Sequence, residues 1–120
     1  MTEPAILARR IANAISHARV NLTTEAAAHR AISTALTDAG IEHVNEARIT
    51  STERIDILSG KVGVEIKVGH RRRDIWRQLE RYATLPEIAA LVLATGTAFP
   101  DVSEVGGKPL IIADLSKGWL

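Results

Sequence analysis

Glu65 and Lys67 stand two residues apart in the stretch 63-GVEIKVGHRRRDIWRQLERY-82, while Val64, Ile66 and Val68 alternate with them. A strand sends successive side chains to opposite faces, so the acid and the amine share the polar one. A second acid lies upstream. The residue types predict strands over 53–58 and 61–68, joined at Ser59-Gly60 as a two-residue turn. Leu58 then pairs with Lys61, Asp56 lies opposite Gly63, and Asp56 and Glu65 become diagonal neighbours on one face. Their Cα atoms would be roughly 7–8 Å apart. Gly63 leaves volume beside Asp56 that a non-protein group could fill. Two carboxylates converging on such a spot, with an amine near, suit a divalent cation; Mg²⁺ takes a few carboxylate oxygens plus water and phosphate. The same three residues also fit a surface face laced by cross-strand ion pairs. A three-residue turn would send Asp56 to the other face altogether.

Two helical residues point toward this face. Glu25 is in line with Ile32 and Leu36 at i+7 and i+11, on the stripe that meets the sheet. A glutamate in a first turn also complements the helix dipole wherever it points. Gln78 lies three residues from Ile75 and four from Tyr82, again on the inward side, where a core amide is the plainer role.

The elements that must position these groups follow from the hydrophobic period. Leu7, Ile11, Ala14, Ile15 and Ala18 predict a helix over 3–18, with Pro4 in its first turn. Thr23 or Thr24 caps a second helix ending at Gly40, with Ile32, Ala35, Leu36 and Ala39 inward. Strands are predicted over 43–50, 53–58 and 61–68, then a helix over 72–84 that ends before Pro86. The run Ile88–Ala94 suits a strand covered on both faces, residues 96–108 read as a loop, and Leu110–Ala113 as a last strand. The order ααβββαββ indicates one α/β (α+β) domain over residues 1–120, a mixed sheet flanked by helices.

Net charge is +1, yet residues 67–81 carry six Lys/Arg against Asp74 and Glu80, a local +4 that leaves −3 elsewhere. One basic patch on a near-neutral body fits a polyanion site. A solvated helix face with Asp74–Arg77 and Arg77–Glu80 pairs accounts for it too. Arg73, Arg77 and Arg81 recur every four residues, and His70, Arg71 and Arg72 occupy the turn at the helix start, where backbone N–H groups favour anions. Such groups neutralise phosphates without reading sequence. His17, His29 and His43 show no ligand spacing and read as surface or packing residues. One Phe, one Tyr and two Trp are too few for a base-stacking platform. The absence of cysteine removes disulfides, thiolate zinc sites, iron–sulfur clusters and a cysteine nucleophile. No apolar run reaches the ~18–20 residues of a membrane span, so the chain reads as soluble and cytoplasmic, with no membrane partner.

Taken in order, Glu25, Ile55-Asp56, Glu65-Ile-Lys67 and Gln78-Leu-Glu-Arg-Tyr82 resemble the PD-(D/E)XK nuclease superfamily, the last element its RecB-like branch. The resemblance covers residues 23–95, with Ile55 where the family has proline and without the cluster cysteines or helicase portion of some members. It implies a restriction-endonuclease-like fold and a Mg²⁺-dependent DNA nuclease, with Mn²⁺ able to substitute. By the same resemblance Asp56, Glu65 and the backbone carbonyl of Ile66 hold the metal, and Glu25 completes its shell directly or through water. Lys67 orients or deprotonates the attacking water, Gln78 bonds Lys67 or a phosphate, and Tyr82 braces the substrate backbone or packs beneath the site. Exonuclease, structure-selective endonuclease and Holliday junction resolvase, in DNA repair or recombination, all remain open. So does an inactive nuclease fold that binds DNA or serves assembly. A chain this small has little surface to grip a duplex, which favours a homodimer, with Trp119 and Leu120 docking on the fold or on a second subunit.

Overall fold

The computed structural model of the protein describes residues 2–116; the docking expected of Trp119 and Leu120 lies outside them. Two helices open the chain, α1 (Glu3–Ser16) and α2 (Glu25–Asp38). Thr2 and Thr24 accept from the N–H groups of Ala5 (3.3 Å) and Ala27 (3.0 Å), each satisfying a donor that a helix start leaves free. α1 is shorter than 3–18 because His17 closes it, placing both its N–H (3.1 Å) and its ring Nδ1 (2.7 Å) on the Asn13 carbonyl. After α2, Gly40 takes the left-handed step at φ +73°.

The strands are β1 (Val44–Arg48), β2 (Arg54–Ser59), β3 (Val62–Lys67), β4 (Ala90–Thr95), β5 (Glu104–Val105) and β6 (Lys108–Asp114), with α3 (Arg72–Ala83) between β3 and β4. They form one mixed sheet in the order β1-β2-β3-β4-β6-β5. β1, β2 and β3 are antiparallel neighbours, β3, β4 and β6 run parallel, and β5 returns antiparallel on β6. The parallel β3–β4 pair needs a crossover, which α3 supplies. The described residues thus form an α+β domain with a six-stranded mixed sheet and three helices.

The helices divide between two faces. α1 and α2 bury Ile11, Ile15, Ile32 and Leu36 against Ile57, Val62, Val64, Ile66 and Val92. On the other face α3 buries Ile75, Leu79 and Tyr82 with Ile55, Ile88, Leu91, Leu93 and Leu110. All six residues of β4 are buried, as a strand covered on both sides requires.

Two local readings change. Residues 96–108 are not all loop: β5 forms there, and Gly106-Gly107, at φ +56° and +78°, turn it into β6. Two successive positive φ angles are what a type I′ hairpin turn demands, and a Gly-Gly pair is its sequence sign. The order is therefore ααβββαβββ. The β2–β3 turn is Gly60-Lys61, not Ser59-Gly60, with Gly60 at φ +57° in the first central position. Ser59 stays in the strand, opposite Val62, and its hydroxyl donates to the Glu42 carbonyl at 2.6 Å. That bond holds it out of the turn. Among the described residues no helix is long and apolar enough to cross a membrane.

Candidate functional site

The shifted turn moves the register by two residues, which preserves the face but changes the partner. Ser59, Leu58 and Ile57 pair with Val62, Gly63 and Val64, so the continuation sets Asp56 opposite Glu65 rather than opposite Gly63.

The backbone ladder stops at Ile57–Val64, and the carboxylates take over from it. Asp56 Oδ2 accepts from the Ile66 N–H at 2.8 Å, and Glu65 Oε1 accepts more weakly from the Asp56 N–H at 3.4 Å. Packing explains why the strands part here. In a regular strand residues two apart share a face. Yet Ile57 packs beneath α1 and α2 while Ile55 packs beneath α3. β1 makes the same change: Asn45 bonds His29 and Ser33 of α2, whereas Ala47 lies in the α3 core. Glu46, between them, has φ +50°, which no other non-glycine among the described residues matches in sign. Asn45 pairs with Ile57 and Ala47 with Ile55, so Glu46 and Asp56 are the opposed pair at which both strands change face. Asp56 is thereby aimed into the gap between β2 and β3.

Gly63 does not leave the gap beside Asp56 that its type suggests. A Cβ there would lie 2.4 Å from Ile55 Cδ1 and 3.1 Å from Leu91 Cδ2. The inverted Ile55 side chain fills the volume, and glycine is needed for that close approach. The open space belongs to the ladder break, one step further along.

Glu65 is only 2% exposed. Its Oε2 lies 3.2 Å from Lys67 Nζ, itself largely buried. Burial first and the Asp56 carboxylate second raise the Glu65 pKa to about 8, and Lys67 only partly offsets them. Without a further cation the acid therefore holds its proton at neutral pH. Two facing carboxylates with one amine form an oxygen-rich donor set short of positive charge, which fits a hard divalent cation.

The remaining predicted residues divide into those at this centre and those near it. Tyr82 is buried and donates its hydroxyl to the Arg54 carbonyl at 2.7 Å, next to Ile55-Asp56; it packs beneath the site. Burial, then Glu65 and Asp56, push its phenol pKa upward, so it stays a neutral donor. Gln78 does not bond Lys67, one of its two expected partners, but donates to the Tyr82 hydroxyl at 3.1 Å. The i,i+4 spacing within α3 places the two side by side. Glu25 reaches the end of β3 from α2 with its side chain 42% exposed; its Oε1 accepts from the Val68 N–H at 3.0 Å and pairs with His70 Nε2. His70 is thus engaged by an acid. Arg81 is as well: its Nε lies 3.0 Å from both Glu53 oxygens, and that hydrogen bond reinforces its charge. Arg71, Arg72, Arg73 and Arg77 are exposed and form no ion pair among the described residues; the Asp74–Arg77–Glu80 pairing does not occur.

His29 is the residue the sequence undervalues. Its Nε2 is 3.1 Å from Asn45 Oδ1 and its Nδ1 3.4 Å from Glu46, and one ligand atom each from His29, Glu46 and Asp56 lie within 4.8 Å of one another. Asp56 therefore belongs to two donor sets, one with Glu65 and one with His29 and Glu46. The one sequence sign is that His29 follows Glu25 by four residues, on the same side of α2. Comparison with known proteins finds no matching family model, no matching curated protein and no matching solved structure.

Proposed function

We propose that the protein is a metal-dependent DNA nuclease with a restriction-endonuclease-like core, of the PD-(D/E)XK kind. The observation that carries this is the ladder break: Asp56, Glu65 and Lys67 meet where β2 and β3 part, with Glu65 buried against a second acid that Lys67 only partly offsets. A surface set of cross-strand ion pairs has no reason to be buried. Asp56 and Glu65, with the Ile66 carbonyl, would hold Mg²⁺ or Mn²⁺, and Glu25 contributes through water because its own oxygen is already committed to Val68 and His70. The ion supplies Lewis-acid stabilisation of phosphate charge and a more acidic bound water. Lys67 orients that water and adds positive charge beside the scissile phosphate. The water oxygen would form the new P–O bond as the bond from phosphorus to the 3′-oxygen breaks, the water losing a proton to solvent and the leaving 3′-oxygen taking one up, giving a 5′-phosphate and a 3′-hydroxyl. Tyr82 and Gln78 are positioning residues, fixing the Arg54 carbonyl and hence the Ile55-Asp56 step. Arg71, Arg72, Arg73 and Arg77 neutralise phosphates on either side, and a homodimer would extend this grip.

Purified protein incubated with supercoiled plasmid, linear duplex and a four-way junction should cleave at least one of them in Mg²⁺ or Mn²⁺ and none in EDTA. Binding without cleavage under every metal condition would instead select an inactive nuclease fold that binds DNA. The junction-to-linear ratio separates a resolvase from an end-directed exonuclease.

The free arginines make a separate prediction. Arg73→Ala with Arg77→Ala should weaken DNA binding and flatten the slope of log K against log salt by about two, roughly 0.9 per lost phosphate contact. Arg81→Ala should change that slope less, because Glu53 already neutralises Arg81. Equal slopes for all three proteins, measured by anisotropy, would remove α3 from the interface.

A further inference from the structure

A cleft at the start of α3, lined in part by two of these arginines, is left without a role by metal chemistry. It is lined by Arg72, Arg73, Trp76, Phe99, Pro100 and Val102, with a volume of about 320 Å³. That is the small end of the ~300–1,000 Å³ range of ligand pockets, the size of one flat ring system rather than a duplex. Trp76 lies one helical turn after Arg72, and its ring meets that of Phe99 at 35° with centroids 6.3 Å apart. The walls are therefore apolar and aromatic, and the rim carries two exposed guanidinium groups with no acid partner among the described residues.

The cleft is joined to the candidate site through the backbone. Thr97 Oγ1 donates to the His70 carbonyl at 3.1 Å, tying the Phe99 loop to the turn between Lys67 and α3. One hydrogen bond thus links the loop that carries Phe99 to the turn that follows β3. At the same turn the Asp74 and Ile75 N–H groups fold back on the Arg71 carbonyl, while Arg71 offers no side-chain cap.

We infer that this cleft receives a single unpaired nucleobase, whose 5′-phosphate is held by Arg72 and Arg73. Aromatic walls alone would suit many apolar groups; the cationic rim selects an aromatic ligand that carries negative charge, and an acidic surface without a ring would leave the walls unfilled. Base–aromatic stacking favours an unpaired base whatever its identity, and arginine adds to it over a ring. This rests on the nuclease reading and sharpens its substrate: DNA with an unpaired nucleotide next to the cut, a frayed end, overhang or branch, in preference to intact duplex. It also revises the expectation from composition, since two aromatics in one place suffice for one base.

Trp119→Phe removes the second tryptophan and leaves Trp76 as the sole indole reporter. In EDTA, a duplex with a short single-stranded overhang should quench Trp76 fluorescence and bind about tenfold more tightly than a blunt duplex of equal length. Phe99→Ala should remove most of that preference while leaving blunt-duplex affinity unchanged, and Trp76→Phe should keep part of it; circular dichroism confirms that each variant folds. Equal quenching and affinity for blunt and overhang DNA would overturn the inference. So would quenching by polyglutamate but not by the overhang, or a signal that follows protein concentration alone, which would assign the cleft to an acidic protein or a second copy. Cleavage of blunt duplex in Mg²⁺ with Trp76 silent would leave the nuclease standing and remove the base pocket. Overhang-specific quenching with no cleavage in any metal would do the reverse.

Discussion

Replacing Glu65 with glutamine should abolish metal-dependent cleavage and at the same time stabilise the metal-free protein at alkaline pH. The two effects have one cause. Glu65 is 2% exposed and faces Asp56, so its pKa rises from 4.5 to about 8 in the folded state. Above pH 4.5 the unfolded chain ionises this residue while the folded protein keeps the proton. Folding stability therefore falls as pH rises from 4.5 toward 8, and levels off once both states are ionised. At pH 9 the accumulated cost is on the order of 3–5 kcal/mol, a large share of a small domain's stability. Glutamine has no such titration and keeps an acceptor for the Asp56 N–H. Urea denaturation in EDTA at pH 5, 7 and 9 should show the wild type losing stability relative to Glu65→Gln across that range. Mg²⁺ should restore the wild type and do nothing for the variant, because a ligand stabilises only the state that binds it. Parallel pH profiles for the two proteins would show that Glu65 is not the buried, metal-seeking acid. A folded, stable Glu65→Gln that still cuts DNA would dissociate the ladder break between β2 and β3 from the chemistry.

How far the sequence could lead is clearest at this strand. Alternation of Val64, Ile66 and Val68 against Glu65 and Lys67 placed β3 and its polar side, because the period of two is local. The core order of the helices and strands was legible for the same reason, with Pro4, Thr24 and Gly40 marking helix ends. Register was less so. Ser59-Gly60 and Gly60-Lys61 are both acceptable two-residue turns, and the choice is made by a long-range bond from Ser59 to Glu42. The inversion at Glu46 and Asp56 was not legible at all. Nothing in R-I-D-I-L says that Ile55 and Ile57 pack into different cores; that follows from Gly63 admitting Ile55 and from α3 closing over it. His29 escaped for the same reason: its neighbours come from β1 and β2, and single-sequence spacing does not report them. Local pattern thus supplied the donor residues, whereas their meeting depends on tertiary packing.

Asp56 offers the sharper dissection, since it performs two jobs that different substitutions separate. Its Oδ2 accepts from the Ile66 N–H at 2.8 Å, in the place where a strand ladder bond would be. Ile66 is 2% exposed, so no water can substitute freely for that acceptor. Asp56→Ala leaves the amide buried without a partner, at a cost of ~1–3 kcal/mol. Asp56→Asn keeps a carbonyl oxygen in the same position and should fold close to wild-type stability, while also removing the charge that helps push Glu65 upward. A divalent cation held as proposed would lose a carboxylate in both variants, and several kcal/mol of charge stabilisation with it, so cleavage should fall by on the order of 10³-fold in each. Activity should thus rank wild type far above two equal variants, whereas stability in EDTA should rank Asn above Ala. Hydrogen exchange at Ile66 is the local readout, protected in the Asn variant and fast in the Ala one. Equal stability and equal exchange in the two variants would mean that the carboxylate does not replace the ladder, and the account of why β2 and β3 part at this point would fail. Residual cleavage near wild type in Asp56→Asn would place the metal elsewhere, with the His29–Glu46 side of Asp56 as the first place to look.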